Sequence, residues 1–171
     1  MSLNNRFSRR NVLASAAFLA VTALSAGAMP QLAYAYDEQS ASIVNVDSQG
    51  VALKGYDPVS YFSASGPVAG KSTFSATYGG ATYWFANAAN RETFKKHPAR
   101  YEPAYGGFCA MGVALEKKLD VDPQLWRVVD GKLYLNVHKE AQARWLEDPK
   151  GNIDQANKVW ARIKDKAPNT L

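Results

Sequence analysis

The chain has 171 residues, of which 47% are hydrophobic, and it contains a single cysteine. Three of the 20 Lys and Arg residues and none of the 15 Asp and Glu residues lie in positions 1–35, so 17 basic residues stand against 15 acidic ones in positions 36–171. This near balance, without a basic cluster, excludes the electrostatic footprint of a nucleic-acid-binding protein, and one cysteine excludes an intrachain disulfide.

The first 35 residues have the parts of an export signal. An arginine pair at 9–10 precedes an apolar run over 12–28, and the Ala-Tyr-Ala at 33–35 fits a signal peptidase site. The order Ser-Arg-Arg-Asn-Val-Leu over 8–13 is similar to a twin-arginine signal. An uncleaved membrane anchor is the alternative, although the apolar run lies at the short end of spanning lengths. We expect cleavage, a periplasmic or otherwise exported protein, and no membrane partner after cleavage.

The domain boundaries follow from the composition beyond the export signal. Residues 36–54 are mixed polar and small, and they are predicted to be an N-terminal tail with a short strand near 43–46. Regular structure is predicted to begin at Asp57, a good N-cap, and Pro58, a good first helical residue. The remaining length suits one compact domain, predicted over 55–166.

The first predicted hairpin pairs residues 73–78 with 81–86. A Gly-Gly pair at 79–80 lies between these two aromatic and β-branched segments and can adopt the positive φ angles of a two-residue turn. Asn87 is then predicted to cap a helix that Pro98 stops after His97.

Gly106 and Gly107 are predicted to open a second helix at close quarters to neighbouring backbone, with Cys109 in its first turn. Residues 116–123 are highly charged and are predicted to be a solvated loop.

The second predicted hairpin pairs 126–129 with 132–137 around Asp-Gly at 130–131, a strong hairpin signal. Two helices follow, over 139–147 and 153–164, the second with apolar residues every three or four positions. This order predicts an α+β fold, in which the two β-hairpins build one small antiparallel sheet and several short helices pack on it.

Several motifs together resemble the YHS domain family. They are the Asp-Pro-Val at 57–59, the Tyr-Trp-Phe at 83–85 and the Arg-Glu-x-Phe-x-x-His-Pro-x-x-Tyr at 91–101. The segments 105–110 and 126–136 resemble the exported, stand-alone branch of that family. The resemblance covers nearly all of the chain after the export signal.

The family resemblance also indicates what this chain lacks. In members that resemble metal-binding modules, cysteines follow the Asp-Pro-Val motif and flank the start of the short helix. Ser60, Ala86 and Asn90 occupy those places here. The resemblance therefore implies the scaffold without its thiolate ligands.

Cys109, His97 and His138 are the candidate metal ligands. A thiol in the first turn of a helix has a lowered pKa, and imidazole and thiolate ligands suit copper or zinc. Each residue also has a structural interpretation: Cys109 as a small apolar core side chain, His97 as a partner of helix-terminal carbonyls, and His138 as a surface residue. Met111 could add a thioether ligand or pack in the core.

The dense aromatic content suggests a second kind of site. Tyr83 and Tyr105 are candidates to line a pocket for a small molecule near Gly106 and Gly107, whose lack of side chains leaves room for a ligand. Packed core aromatics and turn glycines would explain the same pattern without a ligand.

Three functions stay open from the sequence. The first is an exported, non-enzymatic binding module for a metal ion or small ligand near Cys109. The second is a protein-interaction domain without a ligand, which would expose an apolar patch containing Trp84 or Trp145 to a protein partner or a second copy. The third is a thiol-dependent redox protein or enzyme that uses Cys109, with His97 or His138 as base.

Overall fold

The computed structural model describes residues 36–171, so the predicted export signal lies outside the described residues. It confirms the predicted α+β fold. Strand β1 (Lys71–Tyr78) pairs with β2 (Ala81–Phe85), and β3 (Asp122–Val129) pairs with β4 (Lys132–Asn136), both antiparallel. The α-helices are α1 (Ala88–Lys96), α2 (Pro98–Tyr101), α3 (Ala110–Ala114), α4 (Lys139–Glu147) and α5 (Pro149–Ile163).

The two hairpins form two separate two-stranded sheets, so the prediction of a single sheet was wrong. Irregular segments occupy the strand edges at which the hairpins could have joined. Val51 forms a parallel bridge with Thr82 of β2, and Cys109 forms one with Leu135 of β4. The turns are as predicted, because Gly79 and the other central residues of both hairpin turns have positive φ.

The sheets share one hydrophobic core although they do not pair. Tyr83 and Phe85 are buried on the inner face of β2, while Trp84 points to the other face and is half-buried. The Phe94 ring of α1 lies with its centroid 4.9 Å from that of Tyr83 and 5.2 Å from that of Phe85. Trp145 of α4 is fully buried in the same core.

Asp148 both ends α4 and begins α5. Its Oδ1 accepts a 2.9 Å hydrogen bond from the N–H of Gly151, and Pro149 is the first helical residue. Helix α5 therefore starts four positions earlier than predicted, and its buried face contains Ala156, Val159 and Ile163. Within 36–171, no helix combines the length and the apolarity that crossing a bilayer requires.

The segment predicted as a tail contributes to the core. Val44, Val51, Ala52 and Leu53 are buried, and the N–H of Ala52 donates a 2.9 Å hydrogen bond to the carbonyl of Thr82. Residues 44–53 thus pack in the same compact unit as the two hairpins.

The predicted solvated loop contains a buried lysine, which corrects that prediction. Lys118 is 1% exposed, and its Nζ donates to the carbonyl oxygens of Ser42 at 2.8 Å, Lys164 at 3.0 Å and Lys166 at 2.8 Å. The ammonium group also lies 4.7 Å from the ring centroid of Phe108. Three carbonyl acceptors and an aromatic face replace the water that this charge loses on burial.

Candidate ligand-binding sites

Three of the four residues predicted to bind a small ligand meet at one cavity. Tyr83, Tyr105 and Gly106 line a cavity of about 360 Å³ between β2, the turn before α3, β4 and α5. Gly107 is not among its lining residues. A Cβ at position 107 would lie 3.2 Å from Cγ of Pro103, so this glycine serves close packing of the turn.

The turn that carries these residues is left-handed over three positions. Tyr105, Gly106 and Gly107 have φ angles of 54°, 62° and 84°. The N-terminal segment lies so close that a Cβ on Gly106 would collide with the carbonyl oxygen of Ile43. The predicted close approach of backbone is present here, but the segment is a 3₁₀ turn and α3 begins only at Ala110.

Tyr105 holds its left-handed conformation by contacts with α5. A non-glycine residue in this region costs on the order of 1–2 kcal/mol. The Tyr105 hydroxyl donates to Oδ1 of Asn157 at 3.1 Å and to the carbonyl of Ile153 at 3.3 Å. These bonds and ring contacts with Tyr134 and Trp160, both at 5.9 Å between centroids, hold the tyrosine ring at the cavity wall.

The lining residues that sequence reasoning missed include the two charged side chains of this cavity, Glu102 and Lys132, and the indole of Trp160. Proximity to Tyr105 in the chain was an available signal for Glu102. No comparable signal existed for Lys132 and Trp160, because they reach the cavity from β4 and α5 through tertiary packing alone.

Cys109 is fully buried at the N-terminus of α3. Its Sγ accepts a hydrogen bond from the N–H of Gly112 at 3.3 Å, which makes the thiol the N-cap of the helix. The Sγ also donates to Oδ1 of Asn136 at 3.6 Å, and the same oxygen accepts from the N–H of Met111 at 3.3 Å. The cysteine is therefore engaged on both its donor and its acceptor side.

The predicted lowering of the Cys109 pKa does not occur. Burial raises the pKa of the thiol, and the hydrogen bond from the Gly112 N–H offsets this only in part. The prediction considered the favourable helix terminus and omitted the cost of moving a thiolate out of water. Cys109 is consequently a neutral thiol near pH 7.

Cys109 and His138 lie at the same groove. This groove, called the Cys109 groove below, has a volume of about 270 Å³ between α3 and α4. Aliphatic and sulfur-containing side chains supply most of its wall, and charged or imidazole side chains stand at its edge. The lining residues are Cys109, Met111, Gly112, Leu115, Leu119, Val137, His138, Glu140, Ala141 and Arg144.

His138 is the N-cap of α4. Its Nδ1 accepts a 3.1 Å hydrogen bond from the N–H of Ala141, which requires an unprotonated nitrogen. The same Nδ1 lies 3.1 Å from Oε2 of Glu140. One nitrogen cannot accept from the helix and donate to a carboxylate together, so the cap belongs to the neutral imidazole and the ion pair to the protonated one.

The predicted copper or zinc site at Cys109, His97 and His138 is not assembled. Within residues 36–171, no three His, Cys, Asp or Glu side chains are grouped so that they could hold a metal ion. His97 lies at the junction of α1 and α2, where its N–H donates to the carbonyl of Phe94 at 3.0 Å. This hydrogen bond comes from the backbone N–H, so the predicted interaction of the His97 side chain with the helix-terminal carbonyls stays a prediction.

Sequence reasoning missed several residues of the Cys109 groove or its base, among them Asn136, Leu115, Leu119 and Arg144. Asn136 is fully buried, and its Nδ2 has no hydrogen-bond partner among the described residues. Leu115 and Leu119 are 48% and 40% exposed. Single exposed leucines are ordinary on protein surfaces, so the sequence carried no signal that these two line a groove.

Comparison with family models, with curated proteins and with solved structures finds no match to this chain.

Proposed function

We propose that this chain is an exported, stand-alone member of the YHS domain family, and that it works as a non-enzymatic binding module. Its ligand is a small, predominantly apolar organic molecule held in the Cys109 groove. The observation that carries the proposal is the convergence of Cys109 and His138 on one groove of about 270 Å³. The volume lies near the lower end of the range, about 300–1,000 Å³, that is typical of small-molecule sites.

The apolar wall favours an apolar ligand. Leu115 and Leu119 line the groove and are 48% and 40% exposed. Covering apolar surface yields about 25 cal/mol per Å², so a ligand that covers this wall gains on the order of 1–2 kcal/mol from the protein surface that it buries.

Arg144 gives the ligand a preferred polar end. Its guanidinium lines the groove and has neither a hydrogen bond nor an ion pair within 36–171. Glu140, the acidic residue of the same groove, lies beside His138. A carboxylate or sulfonate at one end of the ligand would therefore meet an available cation, which guanidinium groups bind with good geometry.

The surroundings of Cys109 support binding over catalysis. A nucleophilic thiol needs a base in contact and a lowered pKa. Cys109 instead donates to the amide oxygen of Asn136, and burial raises its pKa. Among the residues that the structure describes, no third His, Cys, Asp or Glu completes a metal-ligand group with Cys109 and His138, which favours an organic ligand over copper or zinc.

The family and export parts of the proposal have separate support. The Asp-Pro-Val motif forms a buried hydrogen-bonded turn that contacts Ser60, Ala86 and Asn90, the three positions at which metal-binding members have cysteines. Residues 1–35 supply the export signal on sequence grounds alone.

Titration with 1-anilinonaphthalene-8-sulfonate, an apolar probe with one anionic group, tests the proposal. We expect saturable binding of one probe per chain, weakened about tenfold in Arg144→Gln because a charge-assisted contact is lost. Ala141→Phe fills the groove and should abolish binding, whereas Ala143→Phe on the exposed face of α4 should not change it. Equal binding by the two phenylalanine variants would refute the groove as the site.

Native mass spectrometry of protein isolated from the exported compartment identifies the physiological ligand. The expected result is one organic molecule per chain, absent from Ala141→Phe and retained in Ala143→Phe. Elemental analysis of the same sample separates this from the metal alternative, because stoichiometric copper or zinc would overturn the proposal.

A further inference from the structure

Glu102 is a half-buried carboxylate without a partner at the wall of the 360 Å³ cavity. Within the described residues its side chain has neither a hydrogen bond nor an ion pair within 4 Å. Burial raises the pKa of Glu102, and the positive charge of Lys132 partly opposes that effect. A carboxylate that has lost water without gaining a protein donor is an open position for a cation.

Lys132, the only other charged residue that lines the cavity, does not neutralise Glu102 by direct pairing. Its Nζ donates a 2.7 Å hydrogen bond to the carbonyl oxygen of Ala99. The ammonium group is thereby directed to the backbone beside α2. The Glu102 carboxylate is therefore available to a ligand, whereas the Lys132 ammonium group is already hydrogen-bonded to the backbone.

Aromatic side chains line the same cavity as the carboxylate. Tyr83 and Tyr105 both contribute, and the Tyr83 hydroxyl has no hydrogen-bond partner among residues 36–171. Trp160 lines the same cavity, but Lys118 Nζ already lies 6.0 Å from its ring centroid, so the indole supplies apolar area more than attraction for a second cation. Both tyrosine rings are largely buried, at 2% and 7% exposed, and border the cavity as an apolar wall. An aromatic wall beside a carboxylate suits an organic ammonium ion.

We propose that this cavity binds an organic ammonium ion, with Glu102 as the counter-ion and the Tyr83 and Tyr105 rings as the apolar wall. It shares no lining residue with the Cys109 groove, so the inference stands or falls independently of the proposed function.

Isothermal titration of the purified protein with benzyltrimethylammonium chloride tests the inference. We expect saturable binding of one ion, with benzyl alcohol, which has the same ring without the charge, at least about tenfold weaker. Glu102→Gln keeps the shape of the side chain, makes no new contact, and should weaken binding by about tenfold.

Two further variants separate this cavity from general electrostatics. Lys132→Gln removes a positive charge that repels the ligand and should strengthen binding several-fold. Glu147→Gln at the exposed end of α4 makes the same charge change as Glu102→Gln and should leave binding unchanged. Binding that is absent, equal for benzyl alcohol, or insensitive to Glu102→Gln overturns the inference. Near-ultraviolet circular dichroism of each variant shows that the domain is folded.

Discussion

Oδ2 of Asp57 accepts a 2.6 Å hydrogen bond from Nδ2 of Asn90, which fastens helix α1 to the turn that contains the Asp-Pro-Val motif. The same oxygen accepts from the N–H of Ala86 at 2.9 Å, and Oδ1 accepts from the N–H of Val59 at 2.8 Å. Ser60 donates its hydroxyl to the Asp57 carbonyl at 2.7 Å. Asp57 is fully buried, so these donors replace its lost water.

This hydrogen-bonded group predicts a large effect of a small change at Asp57. In Asp57→Asn, an amide nitrogen in place of Oδ2 would face the donors of Ala86 and Asn90, and each buried donor left without an acceptor costs about 1–3 kcal/mol. We expect urea unfolding to show a loss of about 3 kcal/mol, against about 1 kcal/mol for Asn90→Ala. Asp154→Asn on the exposed face of α5 is the control, and a similar loss there would contradict this role.

Substitutions at Gly106 and Gly80 separate two costs of adding a side chain, the steric collision with a neighbouring segment and the strain of a positive φ angle. Both have positive φ, but a Cβ on Gly106 would collide with the Ile43 carbonyl, whereas a Cβ on Gly80 meets nothing within 4 Å. Gly80→Ala should cost about 1 kcal/mol and Gly106→Ala about 3 kcal/mol or more in unfolding free energy. Equal losses would show that the close approach of the N-terminal segment has no energetic weight.

The Cys109 thiol should react slowly with alkylating reagents in the native protein. Its burial and raised pKa leave little accessible thiolate, so alkylation by iodoacetamide should be about 100-fold slower than in urea-unfolded protein and should accelerate only above pH 9.0. An Ala161→Cys variant in a Cys109→Ser background supplies an exposed thiol for comparison. Comparable rates at the two positions would restore the reactive-thiol hypothesis.

The buried tyrosines make the domain sensitive to alkali. Burial raises the pKa of Tyr61, Tyr83 and Tyr105 above the ordinary value of 10.0. Above that pH the unfolded chain releases tyrosine protons that the folded chain retains. The stability from these groups is thus complete below pH 10.0 and is lost as pH rises toward the folded-state values. The lowered pKa of Lys118 acts in the opposite direction, but it is one group against three.

Urea unfolding across this pH range measures the effect, with tyrosinate absorbance recorded in parallel. Ionisation of these three tyrosines should coincide with unfolding, and Tyr61→Phe should flatten the decline of stability with pH because one titrating group is removed. A Tyr61→Phe variant whose stability falls with pH as steeply as that of the wild-type chain would contradict the expectation.

Local features were predictable from the sequence where a few adjacent residues determine them. The Gly79-Gly80 and Asp130-Gly131 turns have the predicted positive φ angles, Asn87 caps α1 through a 2.9 Å bond from the Asn90 N–H, and α4 has its predicted bounds. In each case the needed φ angle or cap donor lies within three residues of the side chain concerned.

Long-range features could not be obtained in this way. The separation of the two sheets depends on segments 50–52 and 103–109 lying along strand edges, and no local pattern encodes that contact. The burial of Lys118 depends on carbonyls 46 and 76 positions away in the chain. For the candidate sites, the sequence identified Tyr83 and Cys109 as candidate binding residues. Only the three-dimensional structure shows that they line two different cavities.

The Lys118 ammonium joins residue 42, near the start of the described domain, to residues 164 and 166, near its end. One buried ammonium group thus ties together two segments that are far apart in the chain. An opening of either segment would leave that charge with fewer acceptors, which is costly for a group removed from water. Local fraying near residue 42 and fraying at the C-terminal end of α5 are therefore coupled to each other.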